Sequence, residues 1–328
     1  MQFRTEVPIK QSAEKITLQT PILTVGSCFA EVIGQKLTEN KIPAFINPFG
    51  TIFNPISITK LLRQAIHREL PDENLYVENS GVWFHYDFHS SWWATSKETL
   101  TEKLARQLNE VNNRLQKASY LILTLGTAYV YRQSATEQVV ANCHKVPAKL
   151  FQRELLSIST IVEDFKALCS LLQHINPSIT IILTVSPVRH TRDTLPLNAV
   201  SKSILRVACH ELSESLANVQ YFPAYELLLD DLRDYRFYKP DLIHPNEMAE
   251  EYIFQKFSET YFDDSLNRFV REWQKLKQEL THRPLQPNTI AHQLFLENLL
   301  KKLQKMNSAV NVEAEIEFVK KQLHSFES

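Results

Sequence analysis

Glycine is scarce: only Gly26, Gly34, Gly50, Gly81 and Gly126 occur in 328 residues, and no two have the spacing of a dinucleotide fingerprint or a P-loop. Those loops need several glycines so that the backbone can approach phosphate oxygens. Both common nucleotide cradles are therefore excluded, and the remaining glycines become informative. Cysteine is scarce too. Cys28, Cys143, Cys169 and Cys209 have no CxxC spacing, so neither a zinc knuckle nor a disulfide framework is indicated, and they read as free thiols of a reducing compartment. No apolar run approaches the ~18 residues of a membrane span, and the polar first 20 residues lack the apolar core of a secretory signal. The expectation is a cytoplasmic protein with no membrane partner. An excess of one charge is also missing: 36 basic against 37 acidic residues give a net charge of -1, which leaves no field to draw the chain onto nucleic acid. No cofactor and no metal is indicated.

What is present is a series of short, mostly apolar runs at 22–26, 42–47, 120–126, 179–185 and 218–222, of the kind that forms strands buried on both faces of a parallel sheet. Between them, Phe29, Val32, Ile33 and Leu37, and the segments 57–69, 100–115, 155–172 and 199–216, carry helical stripes. Alternating strands and helices predict a three-layer α/β/α sandwich. Residues 48–118 are too long for one crossover and read as an insertion between strands 2 and 3, over the sheet edge or active face. From 266 to 328 the texture becomes long amphipathic helices, a helical extension to an α/β unit of residues 1–265.

Two short segments could carry chemistry. Gly26-Ser27-Cys28 lies where the first strand turns into a helix, at the carboxyl end of a parallel strand and at a helix N-terminus that favours anions. A thiol there is expected to be acidified and nucleophilic. The alternative is that Ser27 only caps the helix and Cys28 is a small buried apolar residue. The second segment is Asp241-Leu242-Ile243-His244-Pro245-Asn246. Pro245 suits the first turn of a helix, and Asp241 can lie against the imidazole of His244, the orienter and base of a nucleophile triad. A turn with a capping Asp and a solvated His is the other reading.

Taken together, these segments in an α/β chain resemble the SGNH, or GDSL-type, hydrolase superfamily. The words GSCFA, NPFGTIFNP, NCHKVP and DLIHPN resemble its GSCFA branch, across roughly residues 20–262. The resemblance implies a flavodoxin-like parallel sheet and ester hydrolysis or acyl transfer. By position it makes Gly50 the second conserved block of the superfamily, Gly126-Thr127 the start of the third, and Asp241 with His244 the fifth. Ungapped, the nucleophile falls on Cys28 in preference to Ser27. The third block normally supplies an Asn to the oxyanion hole, but the chain has Ala128 there. Asn142, His144 and Lys145 are the candidate replacement donors.

Two further features border the expected pocket. In His85-Tyr86-Asp87-Phe88-His89, strand alternation would align His85, Asp87 and His89, but three such residues span ~13 Å, too wide for one metal; His89, with Trp92 and Trp93, is read as lining the substrate pocket. Arg189 and His190, after the fourth strand, could hold an anionic group of the substrate. The leading expectation is an esterase or acyltransferase acting on a small-molecule or glycan acyl substrate. The alternatives are a catalytically silent binding module for an acylated or sugar-like ligand, and an interaction scaffold built on the C-terminal helices.

Overall fold

The computed structural model describes residues 4–191, 194–286, 289–324 and 326. β1 (Ile22–Gly26) leads through α1 (Cys28–Glu39) into β2 (Ala44–Ile46). α2 (Pro55–His67), a hairpin of β3 (Tyr76–Asn79) and β4 (Val82–His85), and α3 (Lys97–Leu115) precede β5 (Tyr120–Leu125). β6 (Tyr129–Gln133), β7 (Val139–Val140) and β8 (Phe151–Leu155) follow, then α4 (Ile158–Ile175), β9 (Thr180–Val185), α5 (Leu195–Ser215) and β10 (Val219–Tyr221). A short α6 (Ala224–Glu226) widens into the turn 227–232. α7 (Glu247–Tyr261), α8 (Asp264–Thr281), α9 (Ile290–Met306) and α10 (Glu313–His324) end the described chain.

The central sheet has the order β10-β9-β5-β1-β2 and is parallel throughout. All residues of β5 and β9 are buried, because helices cover both faces. Side chains alternate between the two layers as strand geometry requires: Leu121, Leu123 and Leu125 pack with α2, α3, α4 and α5, whereas Tyr120 and Ile122 pack with α1 and α7. The three-layer sandwich expected from the sequence is thus observed. Its five strands are the five runs, the first unchanged and the others one to three residues shorter.

The chain reverses direction across the sheet between β1 and β5. β2 lies on one side of β1, and β5, β9 and β10 follow on the other, so the carboxyl ends of β1 and β5 border the crevice where open α/β sheets bind ligands. Residues 48–54 run along this edge, with Ile52 N–H donating to Gly26 O at 2.8 Å and Gly126 N–H to Phe53 O at 2.8 Å. The rest of segment 48–118 departs from its expected role as a cover. The apolar stripes of α2 and α3 place both helices in the main core, and Phe88 and Ala94, after the β3–β4 hairpin, are buried there with them.

The antiparallel sheet β7-β6-β8 was not legible as strands in the sequence. Tyr129 to Gln133 are partly buried throughout except for the fully buried Val130, a weak pattern beside the continuous runs of the central sheet. α8, α9 and α10 close their own small core around Trp273, Leu299, Leu303 and Val319. They dock on the C-terminal end of α1, where Trp273 Nε1 donates to Glu39 O at 2.7 Å and Lys41 pairs with Glu315 at 2.8 Å. Among the described residues no helix is long and apolar enough to cross a membrane.

Candidate active site at the carboxyl edge of the sheet

The turn from β1 into α1 is built without room for side chains. Gly26 has φ +142°, and a Cβ there would lie 2.2 Å from Thr124 O of β5. Ser27, 1% exposed, is the N-cap of α1, its Oγ accepting from Phe29 N–H at 3.3 Å. Cys28 then opens the helix, half-buried. Asn47 locks the turn from the side: its Oδ1 accepts from Gly26 N–H at 2.9 Å and its Nδ2 reaches Ser27 O at 3.5 Å.

The expected acidification of Cys28 does not hold. Burial of the sulfur is the largest influence and raises the thiol above its ordinary value; the charge of Lys202, the N–H groups of Cys28 and Phe29, and the charge of Lys239 pull it down without cancelling that effect. A helix N-terminus depresses a thiol pKa most when the sulfur stays partly solvated. This one is too deeply set.

The segment carrying His244 folds as a turn around Asp241. Asp241 Oδ1 accepts from the N–H groups of Ile243 and His244 at 2.9 and 3.0 Å, and Oδ2 lies 2.7 Å from His244 Nδ1. These bonds, the backbone ones foremost, lower the Asp241 carboxyl to about 2. A carboxylate is acceptor only. His244 Nδ1 therefore carries the shared proton and Nε2 is left as the basic nitrogen. The turn is tied to the end of β9, where Arg189 N–H donates to Ile243 O at 3.3 Å and Arg189 Nη1 to Leu242 O at 3.4 Å. The Arg189 guanidinium also stacks on Tyr238, 4.5 Å from the ring centre. Among the described residues no hydrogen bond joins Cys28 to His244.

The positions expected to supply oxyanion donors are occupied otherwise. Gly50, at φ +74°, donates its N–H to Asn47 O at 2.7 Å, and a Cβ there would meet His89 Cβ at 2.4 Å. Thr127 N–H is given to Phe53 O at 3.1 Å, its Oγ1 accepts from Tyr129 N–H at 3.0 Å, and Ala128 N–H is given to Ser201 Oγ at 2.7 Å. Gly126 contributes its carbonyl, which accepts from Lys202 Nζ at 2.7 Å. The expected substitute, Asn142-Cys143-His144-Lys145, is directed elsewhere. His144 is buried, stacked on Phe84 with ring centres 4.7 Å apart, its Nε2 at 2.9 Å from His85 O, and Asn142 Oδ1 accepts from His144 N–H. This loop serves the satellite core of the hairpin around Tyr86, Val140 and Phe151; Lys145, at φ +59°, turns the chain there.

The aromatic segment also divides. His85 is fully buried with Nε2 near Asp72 O, and Asp87 pairs with Lys60 at 2.8 Å. His89 instead lines a cavity of about 570 Å³ with Glu31, Asn47, Gly50, Thr51 and Trp92. That cavity adjoins the Cys28 turn through Asn47 and Glu31, but Cys28 does not line it.

The sequence reading missed Lys202. On α5, 1% exposed, it donates to Gly126 O and Ser186 O, each at 2.7 Å, and so spans the carboxyl ends of β5 and β9. The signal was available: Asn198, Ser201, Lys202, Leu205 and Cys209 form the buried stripe of α5, and a lysine within such a stripe calls for a partner.

With this geometry in hand, the chain belongs to the GSCFA family. The family model matches residues 21–257, and the C-terminal domain of GSCFA domain proteins matches residues 273–325. No curated protein matches the chain. Solved structures similar to it include an acetyl esterase mutant holding an acetate ion, with 7% identity, 77% of this chain and 99% of that one covered, and a TM-score of 0.36. A carbohydrate esterase family 3 from Talaromyces cellulolyticus gives 9% identity, 77% and 99% coverage and a TM-score of 0.32. The Clostridium thermocellum family 3 carbohydrate esterase gives 10% identity, the same coverage and a TM-score of 0.34.

Proposed function

We propose that the chain is an esterase or acyltransferase acting on an O-acyl substrate, a small molecule or a glycan, with Cys28 as nucleophile, His244 as base and then acid, and Asp241 as orienter. The observation that carries this reading is the 2.7 Å contact of Asp241 with His244 Nδ1, on a turn fastened to the same sheet edge that ends in Cys28. A neutral thiol needs a base to attack. His244 Nε2 takes the thiol proton as the sulfur bonds to the acyl carbon. The ester C–O bond then breaks, and the leaving oxygen receives that proton. Water or an acceptor hydroxyl attacks the thioester, giving its proton to His244, and the C–S bond breaks to return the thiol.

A second reading, a binding module that uses the same crevice, is favoured by the commitment of the Gly50, Thr127 and Ala128 N–H groups to protein acceptors. Loss of one oxyanion donor costs ~100- to 1,000-fold in rate. Turnover of acetyl p-nitrophenyl ester and of acyl-CoA with a sugar acceptor, by the wild type and by Cys28→Ala, separates the two. Activity lost in the variant supports the enzyme. Equal rates in both proteins overturn it, and retained ligand binding then supports the module.

A further inference from the structure

Among the described residues no carboxylate meets the Lys202 ammonium: its partners are two neutral carbonyls, Gly126 O and Ser186 O. Burying an ammonium is expensive, and joining two strand ends does not require a charge. A glutamine amide could make such a tie. The charge itself therefore needs a reason, and what adjoins it is the Cys28 turn: Gly126, whose carbonyl Lys202 holds, lies two residues beyond Thr124, whose own carbonyl accepts from Ser27 N–H at 3.0 Å. We infer that Lys202 is a positioning residue, whose ammonium, clamped by the ends of β5 and β9, fixes a positive charge beside the Cys28 turn to meet the negative charge that develops there on attack. This rests on the reading of Cys28 as nucleophile, and it supplies from beneath the sheet edge some of the stabilisation that Ala128 cannot.

The surroundings are consistent with this role. The titratable groups facing the pair are Tyr225, whose ring centre lies 5.9 Å from Lys202 Nζ, and Lys239, which acts on Cys28 from the His244 turn but is itself paired with Glu250 at 3.3 Å. Burial lowers Lys202 below its ordinary value and the Cys28 charge raises it back; in return Lys202 lowers the Cys28 thiol. Such coupling is reciprocal. On attack the thiol proton passes to His244, while Lys202 keeps its own.

The test is the pH dependence of iodoacetamide labelling at Cys28, read by peptide mass spectrometry on the full chain. Lys202→Gln keeps an amide donor for the strand-end carbonyls, and Lys202→Met removes donor and charge together. Both are expected to move the labelling midpoint up by about one pH unit, ~10-fold less thiolate at a given pH. An unchanged midpoint in a folded Lys202→Gln protein overturns the proposal. Should neither variant fold, the lysine Cε resonance of Lys202, followed by NMR in the wild type and in Cys28→Ala, gives the reciprocal reading. Its midpoint is expected to fall without the sulfur, and an identical midpoint overturns the proposal. Neither readout involves turnover, so an active Cys28→Ala enzyme would strike the nucleophile assignment alone.

Discussion

Asn47 Oδ1 accepts a hydrogen bond from Gly26 N–H at 2.9 Å, with Asn47 itself in left-handed backbone at φ +40°. The residue that secures the Cys28 turn is thus itself strained, a combination seen where geometry matters more than local comfort. Asn47→Ala leaves the buried Gly26 N–H unpaired and keeps the strain. The expected loss is ~1 to 3 kcal/mol of stability by urea unfolding, together with faster labelling of Cys28 as the loosened turn admits water to the sulfur.

Cys28 is set apart from the buried thiols by degree. Burial pushes Cys169 up to about 11 and Cys209 up to about 12, whereas for Cys28 the same effect is opposed by Lys202, Lys239 and two backbone N–H groups. Iodoacetamide should label Cys28 well before either. Ser27→Ala should cost only ~1 kcal/mol, the contribution of a cap, and leave acyl turnover largely intact. A dead Ser27→Ala enzyme with an active Cys28→Ala one would reassign the nucleophile.

Asp241→Asn should reduce acyl turnover by roughly 100-fold or more, the scale of losing the orienting carboxylate of a triad, with little change in substrate affinity. Its acid titration gives an independent check. The folded carboxyl sits near 2, below the unfolded value of ~3.9, so its contribution is present above pH ~4 and lost as pH falls from there toward 2. The variant should lack that component of acid unfolding, and identical acid profiles would count against the hydrogen bonds at Asp241.

His85 and His144 are buried, and each is lowered to about 4, foremost by burial. In the unfolded chain they protonate near 6.5, so the unfolded state binds more protons between pH 6.5 and 4 and stability falls across that window as pH drops. His144→Gln should flatten the fall when urea midpoints at pH 7 and pH 4.5 are compared. An equally steep fall would place the acid sensitivity elsewhere.

How much of this could be read from the chain depended on whether a residue's role is local. The Gly26-Ser27-Cys28 turn and the Asp241–His244 pair are set by neighbours in sequence, and Pro245 and the strand run before Gly26 announce them. The parallel sheet was legible because buried strands are apolar without interruption. Lys202 was not read, since its meaning comes from the carbonyls of two strands that are distant in the chain. Residues 142–145 were misplaced for a related reason: the weakly patterned β6–β8 sheet sends the chain away from the edge, and His144 ends against Phe84 and His85 O. The thiol was misjudged because a helix terminus is visible in sequence and the depth of a sulfur is not.

The helix that presents Cys28 is gripped at both ends by different parts of the chain. Asn47 and the β5 backbone hold its beginning; Trp273, from the helical extension, hydrogen-bonds to Glu39 at its last turn. At 1.5 Å per residue, a rod of 12 residues puts these grips ~18 Å apart, and a helix of that length transmits tilt better than it bends. The C-terminal helices are in that sense the heel of a lever whose toe is the sulfur. A chain cut before Trp273 would keep every residue of the proposed triad and still be a different instrument, its Cys28 mounted on a helix with one end loose.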